Sequence, residues 1–204
     1  MSTAADERKL TPRGRDRRDS LIAYATKRFA ENGYHPTSVA DIVDGVGVGK
    51  GVFYWYFPSK DDLLREILRD SIYDLRKTQQ TAIDEVDSPL EKLEAGVRAS
   101  MAWSMTHPEI LRLVSFAWTE QTFAEALRRG EEILVADTAK HLRAAIDAGD
   151  IAEGDPELLA IAVNGISRQL STPDMTGSAD AIDEGEIQER IELGVRMVLH
   201  GVRG

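Results

Sequence analysis

The stretch Thr37–Lys60, TSVADIVDGVGVGKGVFYWYFPSK, gathers most of the residues in this 204-residue chain that suggest a specific chemistry. Glycine recurs at every second position through Gly45-Val46-Gly47-Val48-Gly49-Lys50-Gly51, which invites comparison with loops that cradle phosphate. Both templates fail. A Walker loop requires glycine where Asp44 stands and Ser or Thr where Gly51 follows the lysine. A dinucleotide fingerprint requires a preceding strand and a third glycine after two spacers.

No catalytic set takes its place. His35, His107, His141 and His200 are scattered, and Asp137 and His141 share a helix face without a third ligand. Glu131 and Glu132 are neighbours on the chain and so do not share a helix face. Gly-x-Ser-x-Gly and His-Glu-x-x-His are both missing. The chain has no cysteine, which excludes disulfide frameworks, zinc-thiolate sites and thiol nucleophiles, and a reducing cytoplasm is the expected location. The sequence therefore predicts no enzyme, no cofactor and no metal.

What remains is recognition of a polyanion. Two helices of about two turns each flank the glycine-containing turn, and neither is stable alone. They make sense packed on a preceding helix as a helix-turn-helix. On a wheel at 100° per residue, Phe53, Tyr56 and Phe57 share one face of the second short helix, with Val48 leading in; they are predicted core. Gly51 and Trp55 point the other way, flanked by Val52 and Tyr54, with Lys50 at the edge. Such a face suits a major groove, where apolar groups meet thymine methyls and hydroxyls reach phosphates.

The elements that must position this face are helical throughout, with apolar residues three or four apart and no clear alternating strand. A first helix is expected over 16–32, with Leu21, Ile22, Ala25 and Phe29 inward and Gly33 closing it. Ser38 or Thr37 caps the next, and Pro58 stops the third near residue 57. Ser59 caps a long helix over 60–84. Further helices are expected over 89–106, 108–119, 121–148, 156–171 and 186–201, with Pro89, Pro108 and Pro156 in first turns. Residues 171–185 read as a mobile loop. The fold class is all-α: about nine helices, a three-helix head on a larger helical body. Three regions are expected: a flexible basic arm over 1–15, the helix-turn-helix over 16–60, and an effector-binding and dimerisation domain over 61–204.

Composition agrees. At 42% hydrophobic and 29% charged the chain can bury a core, and no stretch approaches the ~18 apolar residues of a membrane span. The net charge of -10 hides an asymmetry: residues 1–60 carry +3 and residues 61–204 carry -13. A basic head on an acidic body docks one end on a polyanion and keeps the rest away.

The head resembles the TetR family of one-component bacterial regulators. The resemblance rests on Arg28-Phe29-Ala30-Glu31-Asn32-Gly33-Tyr34, Thr37-Ser38-Val39, Ile42, Gly47-Val48, Lys50-Gly51 and Tyr54-Trp55-Tyr56-Phe57-Pro58-Ser59-Lys60, followed by Leu63 and Leu64. It implies that Thr37 caps the first short helix and bonds a phosphate, and that Lys50, Gly51, Val52, Tyr54 and Trp55 form the recognition surface. Tyr54 and Lys60 are each expected on a phosphate, and Arg13, Arg15, Arg17 and Arg18 on the backbone or in a minor groove. Gly49 stands where the family usually has Ser or Thr. Gly45 replaces a usual alanine, so the turn is expected to be unusually flexible.

For the body, the resemblance implies a homodimer with a small-molecule pocket, binding a palindromic operator in double-stranded DNA. Candidate pocket walls are Met101, Trp103, Met105, Phe116, Trp118 and Phe123. Candidate dimer residues are Leu158, Ala162 and Gly165 on one helix and Ile187, Ile191, Val195 and Val198 on the last. The implied function is a repressor released by an effector; the alternative is a small-molecule carrier or enzyme-like protein that merely retains the head.

Overall fold

The computed structural model describes residues 10–172 and 183–203, so the expected loop over 171–185 and the start of the arm lie mostly outside the described residues. The described residues are helical without strands: α1 (Pro12–Asn32), α2 (Val39–Val46), α3 (Lys50–Tyr56), α4 (Lys60–Ile83), α5 (Pro89–Thr106), α6 (Pro108–Trp118), a single 3-10 turn (Gln121–Phe123), α7 (Ala124–Asp147), α8 (Pro156–Ser171) and α9 (Glu184–Arg203). They form two compact units, Met1–Ile67 and Leu68–Gly204, with the division inside α4. No described helix is long and apolar enough to cross a membrane.

In the first unit α1 starts earlier than its apolar stripe suggests. Thr11 is the N-cap, its Oγ1 accepting from the Gly14 amide at 3.2 Å, and Pro12 opens the first turn. Arg13 to Arg18 are therefore helical, which corrects the expectation of a flexible arm reaching residue 15. The α1 stripe Leu21, Ala25 and Phe29 is buried, as are Ile42 and Val43 of α2, Phe53 of α3 and Leu63, Leu64 and Ile67 of α4. Ser38, not Thr37, caps α2. It forms a reciprocal box in which the Asp41 amide donates to Ser38 Oγ (3.2 Å) and the Ser38 amide donates to Asp41 Oδ2 (2.8 Å). The Ser38 hydroxyl also donates to Asp41 Oδ2 at 2.7 Å, and this bond, then the one from the Ser38 amide, holds the pKa of the Asp41 carboxyl below its ordinary value.

The second unit is built around α5, α7, α8 and α9. Val97, Met101, Leu142, Val163, Val195 and Val198 are among its buried residues. Helices approach closely where glycine permits: a Cβ on Gly194 would stand 2.5 Å from Met101 Sδ. The expected helix over 121–148 splits into the 3-10 turn and α7, with Phe123 buried at the junction.

Candidate nucleic-acid interface

Phe53 and Phe57 fix how α3 is rotated. Both are buried, their rings 5.6 Å apart, so the opposite side faces out. Lys50 and Gly51 are exposed, Val52 is half-buried, and Tyr54 and Trp55 are 54% and 51% exposed. These two rings stand against their neighbours: Tyr54 edge-on to Phe53 at 5.4 Å and Trp55 edge-on to Tyr56 at 4.6 Å. Two large aromatics are thus presented to solvent with part of their rotamer freedom already lost, which lowers the entropy cost of using them in binding. Tyr56, expected in the core, is only half-buried, because its hydroxyl donates to the Gly14 carbonyl at 2.9 Å and ties α3 to α1.

Thr37 and Lys60 behave differently from their expected roles. Thr37 is buried and its hydroxyl donates to the Gly33 carbonyl at 2.8 Å, closing the turn after α1. Lys60 Nζ donates to the carbonyls of Tyr34 and Thr37, each at 2.9 Å, and lies 4.2 Å from the centre of the Tyr34 ring. Burial pushes its pKa down from the ordinary lysine value. The Tyr34 hydroxyl in turn bonds Asp61. Both residues therefore hold the α1–α2 loop in place, and in this conformation neither offers a free group to a phosphate.

The four arginines divide. Arg18 pairs with Glu66 and Asp19 and lies 6.0 Å from the Phe57 ring centre, so it belongs to the head's own packing. Arg15 donates to the Leu10 carbonyl at 3.0 Å. Arg13 and Arg17, one turn apart, line a groove of about 560 Å³ with Gly51, Val52, Trp55 and Tyr56. Two guanidinium groups and the outward face of α3 thus share one concave surface.

The glycines of the turn have separate tasks. Gly47 ends α2 at φ 73°, in the left-handed region. Gly45 is needed for space, since a Cβ there would stand 1.9 Å from the Tyr24 ring; close packing replaces the flexibility expected at this position. Gly49 caps α3 without a side-chain bond.

In the second unit a cavity of about 160 Å³ is lined by Trp103 and Trp118 of the six expected wall residues. Met101 and Met105 instead belong to the core between α5, α7, α8 and α9, and Phe123 is buried with its ring 6.4 Å from Phe116. Ile72, Leu75, Leu127 and Asn164 also line the cavity and were not anticipated. Only Asn164 left a trace in the sequence, as a lone amide in an otherwise apolar run of α8. Of the expected dimer residues, Leu158 is 66% exposed, Ala162 is exposed and Gly165 half-buried. Ile191, Val195 and Val198 face inward and are core; Ile187 packs against that core. The exposed apolar residues of α9 are Leu193 and Met197. Among the described residues no cluster of three His, Asp or Glu side chains is arranged to hold a metal ion.

Comparison with known proteins bears on the head most directly. Residues 21–67 match the family described as bacterial regulatory proteins, tetR family. The transcriptional repressor KstR2 of Mycolicibacterium smegmatis is 40% identical over 84 residues, 41% of each chain. The match thus spans about two fifths of that relative's length. The transcriptional regulator RutR of Escherichia coli is 24% identical over 204 residues, covering 92% of this chain and 91% of the relative. Among solved structures, the fatty acid degradation regulator FadR from Bacillus halodurans superposes with a TM-score of 0.81 at 18% identity, covering 92% of this chain and 96% of that one. The ketosteroid transcriptional regulator KstR2 of Mycobacterium tuberculosis gives 0.68 at 22% identity, covering 92% and 95%. The solved structures extend the shared fold over nearly the whole chain, and the family match together with the motifs of the head places residues 21–67 in the TetR family of bacterial regulatory proteins.

Proposed function

We propose that this protein is a sequence-specific, DNA-binding transcriptional regulator, a repressor released from its operator by a small molecule. One observation carries the reading: α3 buries Phe53 and Phe57 and turns Tyr54 and Trp55 outward beside Lys50 and Gly51. Lys50, Gly51, Val52, Tyr54 and Trp55 meet the major groove, while Arg13 and Arg17 supply charge to the flanking backbone. Thr37 and Lys60 act indirectly, by fixing the loop that carries α2.

The regulator works as a cytoplasmic homodimer, because one short head reads only half a palindrome and two must lie about 34–36 Å apart to meet successive grooves. The outward face of α8, where Ile161 is 55% exposed beside Leu158 and Ala162, together with Leu193 and Met197 of α9, provides the apolar surface for pairing. The role is binding, not catalysis.

The test is selection of bound fragments from the host genome at one near-physiological salt concentration. A Tyr54→Ala/Trp55→Ala variant serves as control, since neither side chain supports the core. Enrichment of a palindrome by the native protein and its loss in the variant is the expected result. Equal enrichment by both removes α3 from recognition, and no enrichment by a folded dimer overturns the repressor reading of the ligand-free protein.

A further inference from the structure

Two concavities of the second unit share one polar boundary. The first is the cavity of about 160 Å³ whose walls include Ile72, Leu75, Trp103, Leu127 and Leu134. The second is more open, about 380 Å³, and is lined by Arg76, Lys77, Lys92, Lys140 and His141 with Asp84 and Asp137. Gln79, Ser100, Thr138 and Asn164 line both. Taken together they reach the size of ordinary small-molecule sites, about 300–1,000 Å³.

Asn164 marks the boundary chemically. Its Oδ1 accepts from the Thr138 hydroxyl at 3.0 Å, while its Nδ2 is buried with no hydrogen-bond partner among the described residues. A buried amide donor left unpaired costs on the order of 1–3 kcal/mol, and an acceptor oxygen from a ligand removes that cost. The charge around the boundary selects the ligand further. Residues 61–204 carry a net charge of -13, yet this opening gathers four cationic side chains against two carboxylates. Arg76 is paired with Asp137 at 2.6 Å, whereas Lys77, Lys92 and Lys140 have no ion-pair partner among the described residues. A cationic cluster of this kind in an acidic body favours an anion.

We infer that the second unit binds an amphipathic organic anion, with its apolar body between Ile72, Trp103 and Leu127 and its acidic oxygens at Asn164 Nδ2 and the Lys92 side of the opening. This specifies the effector of the proposed regulator and rests on that reading only for its consequence at the operator. No bond is made or broken; selectivity comes from one buried donor and unpaired lysines at the end of an apolar chamber.

Isothermal titration of the full chain with straight-chain carboxylates from hexanoate to decanoate tests it, with octan-1-ol and octylammonium as controls matched to octanoate. At least one carboxylate binds with one site per chain, octan-1-ol binds at least tenfold more weakly than octanoate, and octylammonium gives no heat of binding. Asn164→Leu and Lys92→Met each weaken the carboxylate at least tenfold while the unfolding temperature stays within a few degrees. The inference is overturned if no carboxylate binds, if the alcohol binds as well as the acid, or if both variants bind as the native chain does. Operator binding is measured on the same preparations. Loss of carboxylate binding with operator binding intact refutes the ligand class alone, and the reverse pattern refutes the regulator reading alone.

Discussion

The Tyr24 ring lies over Gly45 so closely that a Cβ on Gly45 would stand 1.9 Å from Tyr24 Cζ. This contact joins α1 to the last turn of α2 at the edge of the head, where Gly45 is exposed and Tyr24 half-buried. Gly45→Ala, favourable for helix formation in isolation, is therefore expected to displace the half-exposed Tyr24 ring and to destabilise the protein by up to about 1 kcal/mol. Thermal unfolding measures the loss, and adding Tyr24→Ala recovers part of it because the two residues share one contact. A neutral Gly45→Ala single variant contradicts the packing.

Gly51 makes the opposite case. Nothing lies within 4 Å of where its Cβ would sit, and its backbone is ordinary helix. Gly51→Ala is expected to stabilise the head by about 0.5 kcal/mol, since alanine loses less backbone entropy on folding. On the proposed interface the new methyl meets DNA, so operator affinity falls as stability rises. Operator titration at fixed salt, beside thermal unfolding, separates the two effects. Unchanged affinity places Gly51 outside the groove.

Lys60 links the start of α4 to two carbonyls 23 and 26 residues earlier. Lys60→Met keeps most of the stem and removes the ammonium, leaving the Tyr34 and Thr37 carbonyls without their donor. The expected loss is about 1–2 kcal/mol of stability, in line with hydrogen bonds to a charged group at a part-exposed site. Operator affinity falls only as far as the loop loosens. A variant of native stability that binds the operator poorly restores Lys60 to direct phosphate contact.

These cases show which parts of the molecule the sequence discloses. Pro89, Pro108 and Pro156 open α5, α6 and α8 because proline and its preceding cap act locally, and Phe53 and Phe57 set the rotation of α3 through spacing alone. The partners of Lys60 in this structure are backbone carbonyls 23 and 26 residues earlier, which no periodicity reports. The stripe Ile187, Ile191, Val195 and Val198 was legible as apolar, but a stripe does not say whether it meets its own chain or a second copy. Asn164 gained meaning only when the helices brought it to the edge of two cavities. The start of α1 was hidden because Thr11-Pro12 precedes a charged turn with no apolar residue until Leu21.

The exposed face of α8 and the buried face of α9 give a paired test of dimerisation. Leu158→Asp with Ile161→Asp places two charges on the outward face, where a monomer tolerates them and an apolar interface does not. The expected result is a shift from dimer to monomer in light scattering with helical content retained. Ile191→Asp buries a charge in the second unit's core and is expected to unfold it instead. A Leu158→Asp/Ile161→Asp protein that remains fully dimeric places the interface elsewhere.

His141 gives the acidic side of the stability profile a local origin. It is half-buried, and burial, then Lys140 and Lys92, push its pKa below the ordinary histidine value of 6.5, with Asp137 opposing them. In the unfolded chain the same imidazole takes its proton near the ordinary value, so below that pH the unfolded state binds more protons than the folded one. Stability is therefore complete above about pH 6.5 and falls as the pH drops toward the depressed folded value, beyond which this contribution no longer changes. His141→Gln removes the titration while keeping a polar side chain of similar length. The expected outcome is a flatter dependence of unfolding temperature on pH between about 7 and 5 than in the native chain. Parallel curves for the two proteins assign that slope to other groups; a steeper native curve assigns this share of it to the imidazole among its lysines.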